Sequence, residues 1–192
     1  NKREVLQWLG LDALATAITG GAPMPPSLNF WYRDLGLDIL ETYASSEIAS
    51  AIVSTPEHHR DGSVGRALPN VQVRIADDGE ILIHGDVVFR GYYQNDEATR
   101  EAIDVQGWLH TGDVARWEEG PTGRELRMID RKKDIMITAG GKNITPSEIE
   151  NTLRCSACLK EAIVVADRRP FVGALIQIDY DTVGKWAEEQ GL

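Results

Sequence analysis

A chain of 192 residues, 42% hydrophobic and 26% charged, holds enough apolar matter for a core and is long enough for one domain or one and a half. A net charge of −10 leaves no basic footprint, which disfavours nucleic acid and anionic membrane as partners, and no apolar run approaches the ~20 residues that span a bilayer. Asn1-Lys2-Arg3-Glu4 leads into a broken amphipathic run rather than a signal peptide, so a cytoplasmic location is expected. An anionic ligand needs a local cationic spot, and the densest is Arg131-Lys132-Lys133 with Lys142.

In chain order, residues 4–9 read as the end of a helix. Residues 13–18 form a short apolar run ending at Gly20-Gly21, as expected of a buried strand in a parallel sheet. Pro25-Pro26 opens a helix that Gly36 closes, and residues 38–43 form the next strand, which completes a βαβ unit. In such sheets ligands sit at the carboxyl ends of strands, where Gly20-Gly21 and Tyr43 fall. From Ile48 the texture changes to short alternating strands. Residues 71–75 and 81–83 are joined by the hairpin turn Asp77-Asp78-Gly79. A short helix runs over 95–103, capped by Asn95 or Asp96. Strands over 108–117 and 124–129 are joined by a turn at Gly120-Pro121-Thr122-Gly123. Leu126, Met128 and Asp130 alternate with Glu125 and Arg127, which suits a half-buried strand.

Four consecutive charges, Arg131-Lys132-Lys133-Asp134, then separate two apolar stretches. They are hard to bury and argue for an exposed link between two domains. Ile135 and Ile137 resume an extended run, Gly140-Gly141 supplies a turn, and Thr145-Pro146-Ser147-Glu148 starts a helix with Thr145 as N-cap and Glu148 completing a capping box. Residues 148–153 continue that helix, strands follow over 162–166 and 172–178, and 182–189 is helical. Cys155 and Cys158 lie about one turn apart on the helix opened by Pro146. Two small semi-buried helix-end residues are the plainer reading and a redox role the minor one. Zinc needs about four ligands, and His58, His59, His84 and His110 qualify only by count.

The stretch from Asp130 to Glu150 resembles the D-R-x-K-D-x-I-x-x-x-G-x-x-I-x-P-x-E-I-E signature of adenylate-forming enzymes: acyl-CoA synthetases, peptide-synthetase adenylation domains and luciferases. Its wording is most similar to bacterial long-chain fatty-acid–CoA ligases. Further motifs precede it in the family's order. Gly20-Gly21-Ala22-Pro23 resembles the G-G-A-P segment beside adenine and the acyl group. Tyr43-Ala44-Ser45-Ser46-Glu47 resembles Y-G-x-T-E, with Ala44 for Gly and Ser46 for Thr. The resemblance implies that Tyr43 meets adenine, the Ser46 hydroxyl meets a phosphate or the reacting carboxylate, and Glu47 holds magnesium (Mg), which favours oxygen ligands. Thr111-Gly112-Asp113, 17 residues before Asp130, resembles T-G-D, which implies that Asp113 accepts from both ribose hydroxyls with Arg131 beside it. Gly79-Glu80-Ile81-Leu82-Ile83-His84-Gly85 with Gly91-Tyr92-Tyr93 resembles a further family segment and reads as scaffold. Lys133 stands at the family's hinge, and Gly140-Gly141 in the loop that lines the pantetheine path.

The resemblance therefore implies an α/β fold: the end of a βαβ sheet subdomain (1–47), a small antiparallel barrel-like subdomain (48–130), a hinge at 131–133, and the start of a small α+β C-terminal domain (134–192). The family's Ser/Thr/Gly-rich phosphate loop lies upstream of this stretch, and its late catalytic lysine lies beyond Leu192. The implied activity is ATP-dependent activation of a carboxylate as acyl-AMP and transfer to coenzyme A, with a fatty acid as substrate. A lipid substrate allows work at the membrane periphery. The alternatives are a ligase that stops at the acyl-adenylate or uses a carrier-protein thiol, and a truncated, non-catalytic homologue that binds nucleotide or a protein partner.

Overall fold

The computed structural model describes residues 1–58, 60–120 and 123–191. These fall into two compact units, one ending at Met128 and the other beginning at Ile129. His59 and the turn residues Pro121 and Thr122 lie outside the described residues.

The first unit opens with helix α1 (Lys2–Leu9). The Asn1 side chain caps it by accepting from the Arg3 N–H, and Gly10 ends it in the left-handed conformation. Strand β1 (Ala17–Gly20), helix α2 (Pro26–Asp34) and strand β2 (Ile39–Tyr43) form the expected βαβ unit, with β1 and β2 parallel and Gly20 opposite Thr42. Strand β1 is shorter than its apolar run, since residues 13–16 lie outside it. It is also not buried: one face is bare and Ile18 is 68% exposed, whereas β2, the next strand in, has both faces covered. Two strands of two residues, β3 (Ile52–Val53) and β4 (Arg66–Ala67), continue this sheet antiparallel in the order β1-β2-β3-β4.

The second sheet holds β5 (Gln72–Ile75), β6 (Glu80–His84), β7 (Leu109–Gly120) and β8 (Gly123–Arg131) in that order, with α3 (Asp96–Ala102) between β6 and β7. The β5–β6 and β6–β7 pairs are antiparallel, and among the described residues no β5–β8 pair closes the sheet into a barrel. Asn95 caps α3 by accepting from the Ala98 N–H. Strand β6 lies inside the sheet with Ile81, Leu82 and Ile83 all buried, so both of its faces are covered.

The two sheets share one core. Ile48 and Ile52 from the first region pack with Ile81, Ile83, Leu109 and Leu126 from the second, each at most 2% exposed. Gly65 lies where the sheets meet: it bridges to Leu126 of β8, and a Cβ on it would stand 2.0 Å from the Val53 carbonyl oxygen. Its φ of 92° is also left-handed, so no other residue fits there. On β8 the expected alternation fails at Glu125, which is 2% exposed. Its carboxylate folds over Gly120, a residue with no side chain to keep it away.

The second unit begins within β8 and continues with β9 (Met136–Ile137), β10 (Asn143–Ile144), α4 (Pro146–Arg154), β11 (Leu159–Val165), β12 (Gly173–Ile178) and α5 (Tyr180–Glu189). Strands β9 and β10 pair as a small hairpin, and β11 and β12 pair antiparallel. Ile144, Val164 and Ala166 make its core, with Met136 and Ile149 against them. The Glu150 carboxylate ties α4 to β11 by accepting from the Val164 N–H at 2.8 Å.

The start of α4 departs from expectation. Thr145 occupies the N-cap position, but its side chain makes no cap hydrogen bond, so the capping box does not form. Asp130 takes over: its Oδ2 accepts from the Ser147 N–H at 3.2 Å while Oδ1 accepts from the Arg131 N–H at 2.8 Å. The helix ends at Arg154, which puts Cys155 at its C-cap and Cys158 beyond it. Neither thiol is in a disulfide, and Cys155 donates to the Asn151 carbonyl.

Candidate active site

Strand β2 ends at Tyr43, and the chain turns there into the loop that carries Ser45, Ser46 and Glu47. The Tyr43 ring is only 7% exposed, and its hydroxyl donates to Asp113 Oδ2 at 2.6 Å. Two motifs 70 residues apart in sequence thus meet in one short hydrogen bond. Burial pushes the Tyr43 phenol well above the ordinary tyrosine range, and the bond to Asp113 pushes it further. The charge of Glu47 acts in the same direction, and the hydrogen bond with Thr111 opposes it. At neutral pH Tyr43 keeps its proton and donates it to Asp113.

Asp113 reaches this point because β7 is irregular. Leu82 pairs with His110 and Glu80 with Val114, so a single residue of β6, Ile81, faces three of β7: Thr111, Gly112 and Asp113. Such a bulge re-aims side chains that a regular ladder would direct elsewhere. It is tied at several points. The Thr111 hydroxyl donates to the Ile81 carbonyl at 2.8 Å and accepts from the Asp113 N–H at 3.2 Å. The Gly112 N–H donates to Glu80 Oε1 at 2.9 Å. Gly112 has a φ of 71°, which suits glycine best.

Glu47 is held equally firmly. Its backbone carbonyl accepts from the Phe89 N–H at 2.7 Å. Its Oε2 accepts from the Ser45 hydroxyl at 2.7 Å and its Oε1 from the Tyr92 hydroxyl at 2.9 Å. The Tyr92 phenol is shifted upward by that same bond to Glu47. Tyr92 packs edge-on against Phe89 and its N–H donates to Thr99 of α3. Ser46 is exposed, with its hydroxyl open to a ligand. Residues 20–23 are likewise exposed at the carboxyl end of β1, where a Cβ on Gly20 would press on Thr42.

In the first unit, then, the structure brings together Tyr43, Glu47 and Asp113, with Ser46 on the same loop as Glu47. Glu80, Ser45 and Tyr92 were not anticipated as site residues. Glu80 and Tyr92 sit in the segments read as scaffold, and only the distances to Gly112 and Glu47 reveal what they hold. For a hard cation, Glu47 offers one anionic oxygen ligand. No cluster of three or more His, Cys, Asp or Glu able to hold a metal occurs among the described residues. That set fits magnesium, which is commonly held by one or two carboxylates plus substrate phosphates.

In the second unit, residues 131–134 are all exposed and form one tight turn, with the Asp134 and Ile135 N–H groups donating to the Arg131 carbonyl. Gly140 and Gly141 cap the β9–β10 hairpin. That loop is closed by Thr138, whose N–H donates to the Lys142 carbonyl and whose hydroxyl accepts from the Lys142 N–H. Nothing lies within 4 Å of a Cβ at either glycine, so the tip is open to a ligand. Among the described residues no helix is long and apolar enough to cross a membrane.

Against known families, residues 4–93 match AMP-binding enzyme and residues 133–190 match AMP-binding enzyme C-terminal domain. The chain is 42% identical over 173 residues to long-chain-fatty-acid–CoA ligase FadD15 of Mycobacterium bovis, covering 90% of this chain and 28% of that protein. It is 40% identical over 189 residues to a putative fatty-acid–CoA ligase, fadD11, of Mycobacterium tuberculosis, covering 96% of this chain and 32% of that one. It thus spans about a third or less of the length of these relatives. Among solved structures, O-succinylbenzoate coenzyme A synthetase from Bacillus subtilis, in complex with ATP and a magnesium ion, is similar with a TM-score of 0.71 at 26% identity, over 90% of this chain and 39% of that one.

Proposed function

Because the chain belongs to the AMP-binding, adenylate-forming enzyme family, we propose that it is part of an ATP-dependent long-chain fatty-acid–CoA ligase working in the cytoplasm. The reaction has two steps. A fatty-acid carboxylate oxygen attacks the α-phosphorus of ATP, the bond to pyrophosphate breaks, and acyl-AMP forms. The thiol of coenzyme A then gives up its proton and attacks the acyl carbon, and AMP leaves with the electron pair of the broken C–O bond.

This chain contributes the nucleoside side of the site. Asp113 accepts from the ribose hydroxyls, and Tyr43, pinned to the same carboxylate, fixes its direction and forms the wall toward adenine with residues 20–23. Ser46 offers a hydroxyl to a phosphate or to the reacting carboxylate. Magnesium bound at Glu47 would neutralise phosphate charge, while Ser45 and Tyr92 hold that carboxylate in place. In the second unit, Arg131 supplies a permanently charged donor for the ribose or α-phosphate, Lys133 sits at the hinge, and the open Gly140-Gly141 tip lines the pantetheine path.

The observation that supports this reading best is the 2.6 Å bond from Tyr43 to Asp113, because it assembles two widely separated motifs into one acceptor site for a diol. The test is Asp113→Ala in the full-length protein that carries this chain. Each lost hydrogen bond to a charged group costs ~1.5–3 kcal/mol, so kcat/KM for ATP is expected to fall at least about tenfold, with the KM for fatty acid unchanged. Unaltered ATP kinetics would reduce Thr111-Gly112-Asp113 to a turn.

A further inference from the structure

We propose that Glu80 is a positioning residue for the nucleotide. By accepting from the Gly112 N–H, its carboxylate holds the β7 bulge in the form that points Asp113 at the ribose. This inference rests on the ribose reading of Asp113 and adds a residue to it.

Glu80 opens β6 and is 6% exposed, which is costly for a carboxylate unless its oxygens are well occupied. Its Oε1 accepts from Gly112 at 2.9 Å and its Oε2 lies 3.4 Å from His110 Nδ1. His110 and Gly112 flank Thr111, so the carboxylate spans the mouth of the bulge from the strand opposite. In a regular antiparallel ladder, backbone donors along the strand find partners on the neighbouring strand. The two extra residues of β7 disrupt that pattern, and a charged side-chain acceptor receives the Gly112 donor instead. A bond to a charged acceptor is shorter and stronger than one between neutral groups, which suits a carboxylate to holding a peptide that glycine leaves free to rotate.

The backbone around Glu80 is itself fixed. Its N–H donates to Asp78 Oδ1 at 3.1 Å, and its carbonyl accepts from the Ala76 N–H at 2.9 Å. The Asp77-Asp78-Gly79 hairpin therefore sets Glu80, Glu80 sets Gly112, and Gly112 precedes Asp113. Glu80 itself touches no reacting atom, and its effect passes entirely through the geometry of Asp113.

The consequence is specific to the sugar. A residue that aims an acceptor at two hydroxyls matters for ATP and much less for 2′-deoxy-ATP, whereas one that merely stabilises the fold affects both nucleotides alike. The experiment measures kcat/KM for ATP and 2′-deoxy-ATP by pyrophosphate release in the full-length protein that carries this chain. Wild type is compared with Asp113→Ala, Glu80→Ala and Glu80→Gln. Asp113→Ala is expected to bring the two nucleotides to near equality. Glu80→Ala is expected to reduce the ATP preference at least about fivefold, with the KM for fatty acid unmoved. Glu80→Gln keeps an amide oxygen that can accept from Gly112 and is expected to retain most of the preference. If Glu80→Ala fails to fold, Glu80→Asp, one methylene too short to reach, is read on the same ratio. Loss of preference in Asp113→Ala but not in the Glu80 variants overturns the positioning role and leaves the ribose reading intact. Equal preference in wild type and Asp113→Ala overturns the ribose reading, and this inference with it.

Discussion

Tyr43 carries a proton that the fold holds harder than water does, and this has a thermodynamic consequence. An exposed tyrosine ionises at about pH 10, while burial and Asp113 move Tyr43 well above that value. Above about pH 10 the unfolded chain has lost a proton that the folded chain retains, so stability falls as pH rises. The contribution is intact below the unfolded value and is lost as pH climbs through the folded one. Tyr43→Phe cannot ionise and is expected to show a shallower decline. Urea unfolding between about pH 9 and about pH 11 measures both slopes, and parallel slopes would mean that Tyr43 is not the group responsible. The grouping of Tyr43, Glu47 and Asp113 was legible in the sequence because each sits in a recognisable motif. Glu80 and Tyr92 were not, because a glutamate at a strand start and a tyrosine after a glycine announce nothing until a partner 32 or 45 residues away is known.

Helix α4 shows how an element can be predicted correctly for partly the wrong reason. Pro146 at the first helical position fixes where the helix starts, and that signal is local. The cap comes from Asp130, 17 residues before Ser147, and no local pattern encodes that distance. Asp130→Ala is expected to cost about 1 kcal/mol of local stability, roughly a fivefold loss of amide-exchange protection in the first turn of α4, whereas Thr145→Ala changes little. Equal effects of the two substitutions would return the cap to Thr145. The same contrast governs the strands. β5, β6, β7 and β8 were readable from alternation and a hairpin turn. β3, β4 and β10 have two residues each, too few for any period to show, and exist because neighbouring strands pair with their backbone groups.

At the scale of the whole molecule the exposed turn at 131–134 is the decisive stretch. Four consecutive charges announced it in the sequence, since no core accommodates them. The N–H groups that close the turn belong to Asp134 and Ile135, and Lys133 is not one of those donors. Proline at 133 therefore removes neither of these bonds while fixing one torsion and restricting Lys132. If the two half-reactions need different placements of the small domain, torsion changes concentrate on such linking residues. Lys133→Pro in the full-length protein is expected to leave pyrophosphate release near wild type and to cripple acyl-CoA formation, both read in a single turnover. Equal loss of both, or of neither, would place the hinge elsewhere. A different constraint follows from the bulge in β7. That strand carries two residues more than its ladder requires, and the proposed nucleotide site depends on the surplus. Trimming them would restore an unbroken ladder and take Asp113 away from Tyr43 and the proposed ribose position. Selection for heat resistance alone would reward the tidier sheet, and the protein it delivered would be durable and idle.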